Sequence, residues 1–178
     1  MKATEAKLLD FLKKSPQFVI PIYQRTYSWT EKECQQLWTD LQRAGTDESI
    51  VVHFVGSIVY VAAGLSQVSH QSELLVIAGQ QRLTTESLLI AALARTIEAG
   101  ESTEPVEGFS PRKLRNYYLL NPEEEGLRHF KLVLSQADKD TLMNLVGDHP
   151  APTDPSRRVS ENYAFFERML KDLPDVAP

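Results

Sequence analysis

The chain has 178 residues, 42% of them hydrophobic and 24% charged, with a net charge of −5; this excludes a disordered segment and fits one domain of ordinary size, or one lobe of something larger. The lone cysteine, Cys34, excludes an internal disulfide and a cysteine zinc cluster, and it suits a reducing cytoplasm. The start, MKATEAKLLDFLKKS, lacks the apolar core and small-residue cleavage site of a signal peptide, and no stretch approaches the roughly 20 apolar residues that span a bilayer, so a cytoplasmic protein without a membrane partner is expected.

Thr4 is placed to cap a short first helix carrying Leu8, Phe11 and Leu12 on one face, ended by Pro16. QFVIPIYQRTYSW then reads as extended, because Pro21 removes a donor and biases Ile20 away from helix. Thr30 and Glu33 spell a capping box, followed by Cys34, Leu37, Trp38 and Leu41 at helical spacing, with Gly45 as the residue that closes the helix. The β-branched run Ile50–Ala63 predicts a buried strand in which Gly56 marks a bulge or a close approach. GLSQVSHQS is a polar, hairpin-like connection, and ELLVIA is the next strand. A helix follows with Leu88, Leu89, Ala92, Leu93 and Ile97 on one side, ending near Gly100. GESTEPVEGFS is a linker by its Gly, Pro and acid content. Ser110-Pro111 starts another helix as cap and first-turn proline. HFKLVL is a short strand, Ser135 with Asp138 opens a helix ending at Gly147, DHPAPTDPSRR is a loop, and Ser160 caps a last helix through Tyr163, Phe166, Met169 and Leu170.

Two short clusters carry chemistry. The first is the knot Gly79-Gln80-Gln81-Arg82 between a strand and a helix. The first amides of a helix lack intrahelical partners and sit at its positive end, which makes an anion site. Gly79 permits a sharp turn or a close approach. Arg82 can grip phosphate oxygens with two parallel N–H bonds, Gln80 and Gln81 can orient a water or read a base edge, and Thr84 and Thr85 can cap the helix or touch a phosphate. The plain alternative is a turn whose polar groups satisfy local carbonyls. The spacing is not that of a P-loop. The second cluster is IPIYQRTYSW, where Pro21, Tyr23, Gln24 and Arg25 combine charge with aromatic faces, as nucleic-acid contacts do. Tyr27 and Trp29 read more plainly as core anchors. The pairs Gln24-Arg25 and Gln81-Arg82 suggest convergence on one pocket. The four histidines lack zinc-ligand spacing, Cys34 lies on an apolar helix face, and no metal ligand is assigned. Residues 1–95 hold nine basic and nine acidic residues and residues 96–178 hold ten and fifteen, so the earlier half can present a local basic site without opposing its own field.

These blocks, FVIPIYQRTYSWTEKECQQLWTDL, HFVGSIVYV and LLVIAGQQRLTTESLLIAAL, with LRNYYLLNP, FKLVLSQADKDTLMNLV and SENYAFFERML after them in order, resemble the N-terminal domain of GmrSD-type modification-dependent restriction enzymes, a group that includes phosphorothioate-sensing effectors. The resemblance implies an α+β fold, with a ParB/sulfiredoxin-like core and a small mixed sheet over residues 1–100 and a mainly helical extension over 101–178. It implies hydrolysis of a nucleotide, GTP or another NTP with Mg2+, centred on a motif the family writes Asp-Gly-Gln-Gln-Arg, here Ala78, Gly79, Gln80, Gln81 and Arg82. It implies modified DNA as a partner in antiviral defence, phosphorothioated DNA among the candidates, and a C-terminal HNH nuclease domain whose motif this chain does not contain. Alanine at position 78 can neither hold a cation nor place the attacking water, so the site is expected to be inactivated. The rival expectation is a non-catalytic DNA-binding module of ParB-like fold, and a homodimer through the C-terminal helices stays open.

Overall fold

The computed structural model describes residues 4–62, 73–100, 104 and 106–173. Its helices are α1 (Leu8–Lys14), α2 (Glu31–Thr46), α3 (Gln80–Ala99), α4 (Pro111–Leu114), α5 (Gln136–Val146) and α6 (Arg157–Lys171); its strands are β1 (Phe18–Val19), β2 (Val59–Ala62), β3 (Leu74–Ala78) and β4 (Leu132–Val133). The strands form one mixed sheet in the order β2-β3-β1-β4. β1 lies parallel to both β3 and β4, with Phe18 beside Leu74 and Leu132, while β2 runs antiparallel to β3. The fold is therefore α+β with a small mixed sheet, as expected. β4 comes from the later half of the chain, so that half completes the sheet as well as adding helices.

One hydrophobic core joins the layers. Phe18, Val76, Leu83, Leu88, Val159 and Phe166 are almost wholly buried in it. The 20-residue α3 is its axis, and α6 packs along it. Ala91, Ala92 and Ala94 are buried along it. The capping box at Thr30 and Glu33 forms as read, with Thr30 N–H donating to Glu33 Oε2 at 2.7 Å. Ser110 and Pro111 open α4, which continues as a wider π turn over Arg115–Leu119.

Several expectations are corrected. α1 begins after Lys7, so Thr4 does not cap it. α2 runs through Gly45 to Thr46 and closes on Asp47. Ser156, whose hydroxyl accepts from Val159 N–H, caps α6, and Ser160 lies a turn inside it. The expected buried strand over Ile50–Ala63 is a strand only at Val59–Ala62; Val51 is 91% and Phe54 76% exposed. β-branched composition favours extended backbone but does not by itself supply a pairing partner. The connection 64–72 and residues 101–103 and 105 of the linker lie outside the described residues.

Candidate nucleotide and DNA site

The site is built where β3 runs into α3. Gly79 takes φ +95, and a Cβ there would lie 2.7 Å from the Ser57 carbonyl oxygen, so the close approach demands glycine. The block 24–29, more than fifty residues upstream, folds over this junction, and glutamine side chains fasten it. Gln81 accepts from the N–H of Ser28 at 2.8 Å and of Trp29 at 3.2 Å, and donates to Thr26 O at 3.3 Å. Gln24 donates to Ile77 O at 3.1 Å. Gln80 donates to Arg25 O at 2.8 Å. The two Gln-Arg pairs thus come together through their amides.

Their arginines part. Arg25 lines a shallow recess, with room for about one water, together with Ile20, Tyr27, Gln80, Gln81, Thr84, Leu134, Ser135 and Asp138. Arg82 is not among the lining residues. It lies across Gly56, where φ is +111 and an added Cβ would sit 2.5 Å from Arg82 Nε. Gly56 is the close-approach point read from the sequence. In helical projection Arg82 stands on the opposite side of α3 from Gln80 and Thr84. Two cations therefore flank the positive end of α3, one on each side. The recess is far smaller than pockets that enclose whole small molecules. It has room for a terminal group or a water rather than an enclosed nucleotide.

The candidate residues differ in availability. Ala78 ends β3, pairs in register with Val59, and is exposed. Arg25, Arg82 and Tyr23 are exposed, and Pro21 is half-buried beside them. Thr84 and Thr85 are buried and donate to the Gln80 and Gln81 carbonyls at 2.8 Å each. Gln81 has both ends of its amide engaged with the loop. Gln80 is 8% exposed, and its Oε1 is a buried acceptor with no partner.

Asp138 is a residue the sequence reading did not assign to the site. It is buried; Oδ2 accepts from Tyr27 N–H at 2.6 Å and Oδ1 from the Ser156 hydroxyl at 2.5 Å. It ties the Arg25 loop to α5 and to the cap of α6. It therefore does not serve Ser135, which makes no side-chain cap for α5. Asn162 on α6 donates to Tyr27 Oη and to Trp29 O, both at 2.9 Å, and Tyr27 Oη pairs with Thr85 Oγ1 at 2.7 Å. Burial pushes the Tyr27 phenol well above its ordinary range and the Cys34 thiol up to about 11, so neither is an acid, base or nucleophile near neutrality. The local sequence marks Asp138 only as a helix-opening partner of Ser135, because its actual partners lie 111 residues upstream and 18 downstream.

Among the described residues no three His, Cys, Asp or Glu side chains gather as a metal-ligand set. The carboxylate of the recess, Asp138, has both oxygens engaged by Tyr27 N–H and the Ser156 hydroxyl, Glu86 is buried, and position 78 has no carboxylate. The residues present do not fit a Mg2+ ion held by the protein. Also among the described residues, no helix is long and apolar enough to cross a membrane.

The chain belongs to the family described as the GmrSD restriction endonuclease N-terminal domain, whose model matches residues 7–173. That membership ties it to restriction systems, and so to a DNA partner and a nuclease part. No curated protein matches the chain.

Proposed function

We propose that this domain takes the phosphates of a nucleotide, GTP or another NTP, at the N-terminal end of α3, and couples that occupancy to sensing of modified DNA on behalf of a nuclease domain. Gln80 carries the reading. A buried acceptor without a partner is destabilising by about 1–3 kcal/mol and is relieved by a proton donor. A water held there by Gln80 Oε1 would stand beside the positive end of α3 and the Arg25 guanidinium, where a phosphoryl group finds favourable charge. Arg82 and the first α3 amides would stabilise charge on that group. Tyr23, Gln24 and Arg25 offer the DNA an exposed ring, an amide and a cation, and phosphorothioated DNA is the modification to test first. Mg2+ enters this reading only through a carboxylate at position 78, which the chain lacks.

The test is hydrolysis of GTP and ATP by the wild-type chain, by Ala78→Asp, and by Ala78→Asp combined with Arg82→Ala or Gln80→Ala. Ala78→Asp should raise turnover, and either second substitution should abolish it, with the melting temperature unchanged for Arg82→Ala. Negligible turnover in both the wild type and Ala78→Asp refutes the reading, as does a fully active Arg82→Ala combination.

Ala78 itself favours a second reading, a ParB-like module that binds DNA without hydrolysis. Affinity for DNA would then fall steeply with salt. Salt-steep binding with no effect of nucleotide on the Ala78→Asp protein decides for this reading.

A further inference from the structure

Glu86 has no part in the site described above, yet it is the most anomalous side chain of α3. It is 5% exposed, and its Oε2 has no hydrogen-bond partner. It stands one turn beyond Arg82, on the same side of the helix. Arg82 does not close on it as an ion pair; its guanidinium lies outward over Gly56. An acid and a cation thus occupy neighbouring rungs, one sealed in and one exposed at the anion-binding end of the helix.

We infer that Glu86 sets the strength with which Arg82 holds an anion: protonated Glu86 leaves the guanidinium charge available, and ionised Glu86 draws on it. The inference rests on the reading that Arg82 receives a phosphoryl group, and adds regulation of that site by pH.

The electrostatics favour a titration within reach. Burial pushes the Glu86 carboxyl up to about 8, against the Arg82 charge, which pulls it down. Among the described residues Arg82 is the charged group that acts on Glu86. The segment bearing Gly56 carries His53, which does not act on it. Further along α3, Arg115 of the π turn pairs with Glu98 at 2.8 Å and Glu167 of α6 acts on Arg95, while Asp138 of α5 faces the Gln80 and Thr84 side of the helix, opposite Arg82. An anion on Arg82 cancels the pull on Glu86, so binding the anion and keeping the proton support each other. By linkage, the proton must strengthen anion binding by the same factor. A unit charge one turn away at a protein-like effective dielectric changes affinity by about tenfold.

The experiment is calorimetric binding of inorganic sulfate, a tetrahedral dianion that carries no titrating proton in this range. It is run on the whole chain at pH 6.5 and 9.0, for wild type, Glu86→Gln, Glu86→Met and Arg82→Ala. The wild type should bind about tenfold more tightly at pH 6.5 and take up protons on binding near pH 8. Either Glu86 variant should lose that difference. Two substitutions are used so that a fold defect in one does not decide the result. Sulfate bound through Arg82 with the same pH dependence in the wild type and the Glu86 variants overturns the coupling and leaves the phosphate site standing. No sulfate binding, or binding indifferent to Arg82→Ala, overturns the phosphate site and the coupling with it.

Discussion

Replacing Glu86 by glutamine should change how stability depends on pH, and the size follows from burial. The carboxyl is held at about 8, against an ordinary value of 4.5. Between those two values the folded protein keeps a proton that the unfolded chain has released. Raising the pH through this window therefore favours the unfolded chain. The loss begins as pH rises past the unfolded value and is complete above the folded one. Each pH unit inside the window is worth about 1.36 kcal/mol, so from pH 5 to pH 8 the wild type should lose about 3 kcal/mol through this one group. That is a large share of the roughly 5–15 kcal/mol that holds a domain together. Urea unfolding of the wild type and Glu86→Gln at pH 5, 6, 7 and 8 measures it, since the difference between the two curves removes every other titrating group. The variant should lose less stability across the range and be the more stable protein at pH 8. Parallel curves would show that the carboxyl is solvated or paired, and would refute the reasoning.

Gly56→Ala forces a side chain into positive φ and against Arg82; it should lower stability by about 1–2 kcal/mol and weaken anion binding, read by thermal unfolding and by the sulfate titration. Asp138→Ala frees two donors at once, in a buried setting where each hydrogen bond to a charged group is worth about 1.5–3 kcal/mol; a loss of about 3 kcal/mol in urea unfolding is expected, and a loss below 1 kcal/mol would show that the clasp is dispensable. Arg25→Ala should weaken DNA binding and reduce the salt slope by about one, while an unchanged slope removes Arg25 from the DNA contact.

Local signals were legible in the sequence wherever local chemistry decides the outcome. The Thr30–Glu33 box, the Ser110-Pro111 start and the strand-to-helix knot at Gly79 all depend on residues within a turn of one another, and the structure contains them. Ser156 and Ser160 stand one turn apart and offer the same cap; Ser156 takes it, its hydroxyl also anchored on Asp138. The apolar run 50–58 resembled a buried strand because composition reports what a segment favours, while pairing depends on a neighbour the sequence does not name. The glutamines illustrate the same limit within the site. Gln80 and Gln81 are equivalent letters, yet one is consumed by backbone groups more than fifty positions upstream and the other keeps a free acceptor.

The clasp around Tyr27 also bears on how the domain comes into being during synthesis. Its fasteners are Gln81, Asp138, Ser156 and Asn162, at sequence separations of up to 135 residues from the loop they hold. A ribosome that has made the whole of IPIYQRTYSW and GQQRLTT has made every motif residue but no site. Gln80 and Gln81 can fasten the loop once α3 forms, but Asp138 and Asn162 hold it only after α5 and α6 emerge and dock. Contacts this distant close slowly, so the recess should be among the last features to order as the domain folds, and it should stay incomplete until α6 is free of the ribosome.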